Sequence, residues 1–95
     1  MTAPPAAASF LGGKLTLAQA EGYRAAIDPI LLAASLRVRP DELAAEFGCN
    51  AGAALLSAAV LNPQVRFTGV ELDDAAAALA EKNVAANHLS GRVAV

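Results

Sequence analysis

The chain has 95 residues, of which 56% are hydrophobic and 17% charged, with a formal net charge of −2 at pH 7. That length holds one domain at most, and the apolar content excludes disorder over most of it. The seven Lys and Arg are scattered, which gives this segment no electrostatic case for nucleic acid, and no apolar run is long enough to span a bilayer.

Cys49 is the single cysteine, so no internal disulfide can form. That fits a reducing compartment, and a cytoplasmic location is expected. The N-terminus lacks the basic stretch and apolar core of a secretory signal. Residues 1–9, with Pro4, Pro5 and small side chains, are expected to be a mobile tail. Residues 10–95 are expected to form the structured part.

"FLGGKLTLAQAEGYR" carries two readings. Lys14 to Leu17 alternate as a half-buried strand does, while Thr16 and Gln19 have the spacing of a helix capping box. Gly12, Gly13 and Gly22 favour the extended, hairpin reading. Asp28-Pro29 then suits an N-cap and first helical position, followed by the apolar helix "ILLAASL". Pro40 ends that stretch by disfavouring helix at the residue before it. "ELAAEF" reads as the first parallel strand. "AALLSAAVLN" reads as a helix stopped by Asn62-Pro63, with Leu55, Leu56, Ala59 and Val60 on one side.

"VRFTGVEL" is rich in β-branched residues and reads as a second strand. "DDAAAALAEKNVAANHL" has acids at its start and Lys82 and His88 toward its end, as a helix dipole favours. Ser90-Gly91 turns the chain into "RVAV", a third strand. Strand, helix, strand, helix, strand specifies a parallel α/β sheet.

The turn "EFGCNAG", residues 46–52, runs from strand to helix. Such a turn sets backbone N–H groups beside a ligand at the positive end of a helix dipole. A dinucleotide loop needs G-x-G-x-x-G, but those positions hold Gly48, Asn50 and Ala53. A side chain at the middle position obstructs a pyrophosphate. No Gly-Lys-Ser/Thr is present for a P-loop. What remains is a carboxylate, Glu46, two residues before Gly48, with Gly52 closing the turn and Glu71 ending the second strand. A carboxylate at Glu71 can accept from both hydroxyls of a ribose.

On these residues the chain resembles class I S-adenosylmethionine-dependent methyltransferases. "LAAEFGCNAGAALLSAA" resembles their first motif, acidic-x-Gly-x-Gly-x-Gly, and "FTGVEL" their second. "FLGGKLTLAQAEGYRAAIDPILLAASL" and "EKNVAANHL", with Asn83 and Asn87, resemble a branch that modifies exocyclic amines, including bacterial tRNA adenine-N6 methyltransferases and small-domain methylases. The resemblance runs from about Phe10 to Val95. It implies a partial Rossmann-like α/β fold with three parallel strands in the order 3-2-1 and flanking helices.

The resemblance also implies S-adenosylmethionine as cofactor. Glu46 would lie near its ammonium group, and Gly48, Cys49, Asn50, Ala51 and Gly52 would supply close-approach backbone. Glu71 would hold the ribose, with Leu72 beside the adenine. Tyr23, Arg24 and Asp28 would close over the methionine tail. Two departures stand out. Asn50 replaces the middle glycine, although Asn tolerates left-handed backbone angles. The Asn/Asp-Pro-Pro-aromatic motif that binds the target amine is absent, since Asn62-Pro63 has one proline and follows the first helix. No catalytic residue is therefore assigned, and the expectation is a truncated cofactor half, inactive alone, reaching RNA only through a full-length parent. The first parallel strand would be an open edge, and self-association is expected.

The plainer roles are a helix-capping carboxylate for Glu46, a surface residue for Arg24, a small buried residue for Cys49, and a dipole partner for His88. Asp73 and Asp74 would be first-turn helix charges. Nothing in the spacing suggests a metal site.

Overall fold

The computed structural model describes residues 6–20 and 27–95. In chain order the strands are β1 (Ala6–Phe10), β2 (Leu15–Gln19), β3 (Leu43–Phe47), β4 (Arg66–Val70) and β5 (Val93–Ala94). The helices are α1 (Asp28–Ser35), α2 (Ala53–Leu61) and α3 (Asp74–Ala86). β3, β4 and β5 form a parallel sheet with β4 in the centre, which is the order 3-2-1 that the resemblance implies. Both crossovers, α2 and α3, cover one face of it, and side chains alternate accordingly. Ala44, Glu46, Phe67 and Gly69 face the helices, while Leu43, Ala45, Phe47 and Val70 face outward.

The hairpin reading of the N-terminal stretch holds. β1 and β2 pair antiparallel from Ala6–Gln19 to Phe10–Leu15, through a turn whose residues Leu11, Gly12 and Gly13 all have positive φ. Residues 6–9 are therefore strand rather than tail. The two consecutive glycines let the chain fold back, so that these residues gain the ladder of β2. The capping-box alternative fails, because Thr16 and Gln19 both lie in β2. The Asp28 N-cap also needs correction by one residue. Ile27 occupies the cap with helical angles, and Asp28 is the acidic residue of the first turn, a shift within the fraying of any helix end.

α2 is the centre of the molecule. Its buried residues, Ala53 and Leu55 to Ala59, surround the helix, because the sheet, α1 and β2 all pack against it. An all-round apolar helix is the sequence form that such a position requires. Leu15 and Leu17 of β2 are fully buried on its far side.

β2 has one edge on β1, and its other edge is satisfied by side chains. Asn83 on α3 accepts from Ala18 N–H (2.9 Å) and donates to Ala18 C=O (2.9 Å). One turn on, Asn87 does the same for Thr16, at 3.0 and 2.8 Å. Two strand residues advance about 6.7 Å and four helix residues about 6 Å, so the two repeats stay in register. A carboxamide presents the donor and acceptor of a peptide group, and this pair acts as a substitute strand.

Two further devices close helix ends. Arg92, just before β5, donates to the carbonyls of Ala59 (2.6 Å), Val65 (3.1 Å) and Asn62 (3.2 Å), the last turn and exit of α2. α3 ends in a Schellman motif: Leu89 N–H reaches Val84 C=O and His88 N–H reaches Ala85 C=O. His88 sits at the left-handed position, φ 58, where a side chain is disfavoured by about 1–2 kcal/mol. His88→Gly is expected to stabilise the domain by about 1 kcal/mol, raising Tm by about 4–8 °C. A thermal melt showing no gain would reject the strain at His88.

Candidate functional site

β3 ends at Phe47, and the chain climbs into α2 through five residues, three of them with unusual angles. Gly48 (φ 77), Asn50 (φ 52) and Gly52 (φ 100) are all left-handed. Asn50 meets its geometry as the best-tolerated non-glycine residue there. Gly52 is the N-cap of α2, at an angle that only glycine adopts readily. The loop is anchored across to β4, since Gly48 N–H (2.7 Å) and Cys49 N–H (3.1 Å) both donate to Val70 C=O. Gly69 lies beside Glu46 in the ladder, and a Cβ there would come within 2.8 Å of Cys49 Sγ and 2.7 Å of Leu55 Cδ2. Its bare backbone is what allows the loop and α2 to seat this low on the sheet.

Glu71 ties the second motif to the first. Its Oε1 accepts from Asn50 N–H (2.8 Å) and its Oε2 from Asp73 N–H (2.9 Å). The Asp73 and Asn50 hydrogen bonds hold its carboxyl below the usual carboxylate range. From the other side, Asn83 Nδ2 donates to Ala51 C=O (2.9 Å), so α3 fixes the loop as well as β2.

Glu46 points from β3 toward the helix side, at the start of α2. Burial pushes its carboxyl above the ordinary value, opposed in part by the Leu55 N–H of the first helical turn. Its Oε1 is buried without a partner; Ser57 Oγ is the other such side-chain atom among the described residues. The first turn of α2 contains no acidic residue, so this carboxylate meets a helix dipole that is otherwise uncompensated.

These groups border a cleft of about 350 Å³, lined by Asp28, Pro29, Leu32, Glu46, residues 48–51, Ala53 and Ala54. That is the lower part of the range for small-molecule sites. The structure thus brings together Asp28, Glu46, Gly48, Cys49, Asn50 and Ala51 from the predicted set. Gly52 and Glu71 are not in that lining; Gly52 caps α2, and Glu71 ties the loop through Asn50 N–H. Leu72 is 97% exposed, next to Glu71. Tyr23 and Arg24 lie outside the described residues.

Cys49 is buried, and its thiol is pushed up by that burial and by the Glu46 and Glu71 charges, which makes it a packing residue rather than a nucleophile. Among the described residues no group of His, Cys, Asp and Glu could hold a metal ion, and no helix is long and apolar enough to cross a membrane. Sequence reasoning missed the role of Asn83 at this site. The resemblance had singled out Asn83 and Asn87, and their spacing of one helical turn was the signal for a shared partner strand.

The parallel sheet, its helical crossovers and the glycine turn at the carboxyl end of β3 define a Rossmann-like α/β fold with a cleft at the carboxyl end of β3. The structure of P. horikoshii TYW2 in complex with MeSAdo has this fold, with a TM-score of 0.67 and 19% identity over 84% of the present chain. The chain spans 30% of the length of that one. No protein-family model and no curated protein matches the sequence.

Proposed function

We propose that the cleft binds S-adenosylmethionine and that the chain is the cofactor-binding part of an amine methyltransferase, with the N6 amine of adenine in tRNA as the acceptor in a full-length parent. The observation that carries this reading is the buried, unpartnered Oε1 of Glu46 beside the left-handed turn. An acceptor in that position calls for a donor from a ligand, and the cofactor's ammonium group supplies one. Glu71 uses one acceptor site on each oxygen for backbone N–H groups and keeps others for the two ribose hydroxyls. Leu72, exposed beside it, offers an apolar surface to the adenine. Tyr23, Arg24 and Asp28 complete the proposal over the methionine tail. The MeSAdo complex of the structural neighbour supports a ligand of this kind.

When bound, the cofactor supplies an electrophilic methyl group. The chain's own residues bind and orient it, which is positioning rather than acid–base work. The amine-binding motif of the resembled family is missing from these 95 residues, so no transfer is expected from this chain alone. A non-catalytic binding or dimerisation module is the second reading, favoured by the bare apolar flank of β3.

Calorimetric titration separates the possibilities. S-adenosylmethionine is expected to bind at one site per chain and NAD to give no heat, because Asn50 fills the space of a pyrophosphate. Binding of NAD alone, or of neither compound, would overturn the proposal.

A further inference from the structure

The turn at residues 48–52 is held from two directions. From the sheet, Val70 C=O takes the N–H groups of Gly48 and Cys49, and Glu71 takes that of Asn50. From α3 comes Asn83, which differs because it also holds the hairpin. Its Nδ2 donates to Ala51 C=O in the turn and to Ala18 C=O in β2, each at 2.9 Å, while its Oδ1 accepts from Ala18 N–H. Both amide hydrogens are thus engaged, one on each partner. With Asn83 buried, a shift of strand or turn away from the carboxamide leaves a polar group unpaired. The same two segments meet again on α2. Leu15 and Leu17 of β2 are fully buried where β2 packs on that helix, and its N-cap is the last residue of the turn, Gly52. Both segments also lead into the cleft. Cys49, Asn50 and Ala51 line it, and the chain that leaves β2 at Gln19 lines it at Asp28 and Pro29.

We propose that Asn83 is a positioning residue of the cleft, its carboxamide coupling the seating of the β1–β2 hairpin to the shape of the turn. The hairpin then belongs to the binding site, although none of its residues lines the cleft. Undocking the hairpin takes Ala18 away from Asn83 and frees the carboxamide to swing from Ala51. A ligand that needs the turn in its present form therefore favours the docked hairpin. By reciprocity the docked hairpin favours the ligand by the same factor. Asn87 has no share in this, since its partners are Thr16 and its own helix. The choice of S-adenosylmethionine as test ligand rests on the function proposed above, and the coupling itself does not.

Native-state hydrogen exchange of the full chain tests the coupling from the ligand side. Saturating S-adenosylmethionine is expected to slow exchange of the Ala18 amide about tenfold, within the usual span of coupling between sites. An Ala18 amide that keeps its rate with ligand bound would overturn the proposal. Cys49 gives a test without ligand. It is the single cysteine and is buried, so a thiol reagent reports opening of the turn. In low urea, Cys49 labelling and Ala18 exchange are expected to accelerate with one shared slope, below that of global unfolding. Unequal slopes, or a shared slope equal to that of global unfolding, would reject a hairpin–turn unit. If S-adenosylmethionine does not bind the wild-type chain, the function proposed above falls and the urea series alone decides the coupling. Asn83→Ala, at a temperature where its circular dichroism is native, is expected to bind S-adenosylmethionine at least tenfold more weakly. Asn87→Ala is expected to stay within about twofold of wild type, its bonds lying outside the bridge. A role in stability alone would lower the Tm of Asn83→Ala and leave its affinity unchanged, which would also overturn the proposal. Should Asn83→Ala not fold, the two wild-type measurements decide.

Discussion

Asn83→Ala is expected to destabilise the domain by about 3–5 kcal/mol and to lower its Tm by more than 12 °C. The side chain is 2% exposed and satisfies three backbone groups: Ala18 N–H, Ala18 C=O and Ala51 C=O. Truncation leaves all three facing a space that alanine does not fill, at about 1–3 kcal/mol for each group that water cannot reach. Asn87 is the internal control. Its bonds to Thr16 are exposed, so water replaces them, and Asn87→Ala is expected to lose about 1 kcal/mol or less. Urea unfolding of both variants checks the contrast. Equal losses would show that the ladder is not what holds β2. Native-state hydrogen exchange adds a finer test, in which the Ala18 amide loses protection in Asn83→Ala and the β4 amides lose less.

Glu46→Gln is expected to make the free protein more stable and the ligand complex weaker. Burial raises the carboxyl's pKa in the folded chain above its ordinary unfolded value. A group raised in this way contributes its full stabilisation below the unfolded pKa and loses it as pH rises through the folded one. Above the ordinary carboxylate range the folded chain therefore resists the ionised form, and a neutral side chain sits there more easily. Glutamine removes that penalty, so the gain appears at neutral pH and vanishes below the ordinary carboxylate range. For S-adenosylmethionine the sign reverses. Losing a charge-assisted bond to an ammonium group weakens binding by about tenfold or more. Melts at pH 4 and pH 7 with a parallel titration measure both effects. A variant that is less stable at pH 7 and unchanged in affinity would remove Glu46 from the site.

Glu71 has the opposite sign. Its folded pKa is lowered, so its contribution is present above the unfolded pKa and fades as pH falls through the folded one. Acidification thus frees Glu46 from strain and loosens the Asn50 anchor, two changes in one cleft with different consequences for the apo and bound states.

The β–α–β–α–β order was legible because each element carries a local signature. Asn62-Pro63 stops α2, β-branched residues mark β4, and the acids at Asp73 and Asp74 open α3, where Asp73 caps the Ala76 N–H. Asn50 was legible as a left-handed residue because that preference belongs to the residue itself. The partners of Asn83 and Arg92 were not. Their contacts span 65 and 27–33 residues, and no window along the sequence shows which carbonyl a side chain will reach. The strand at Ala6–Ser9 escaped for a related reason. Small residues carry no periodicity, and their order comes from the β2 ladder opposite.

The depth of the cleft is fixed by something outside it. Gly69 belongs to the neighbouring strand and touches no ligand position, yet its hydrogen sets how far Cys49 and Leu55 can descend. Whatever occupies residue 69 therefore acts as a spacer for the whole turn. A methyl group there raises the loop, lengthens the reach from Asn50 to Glu71, and changes the shape of the cleft with every residue in its wall still native.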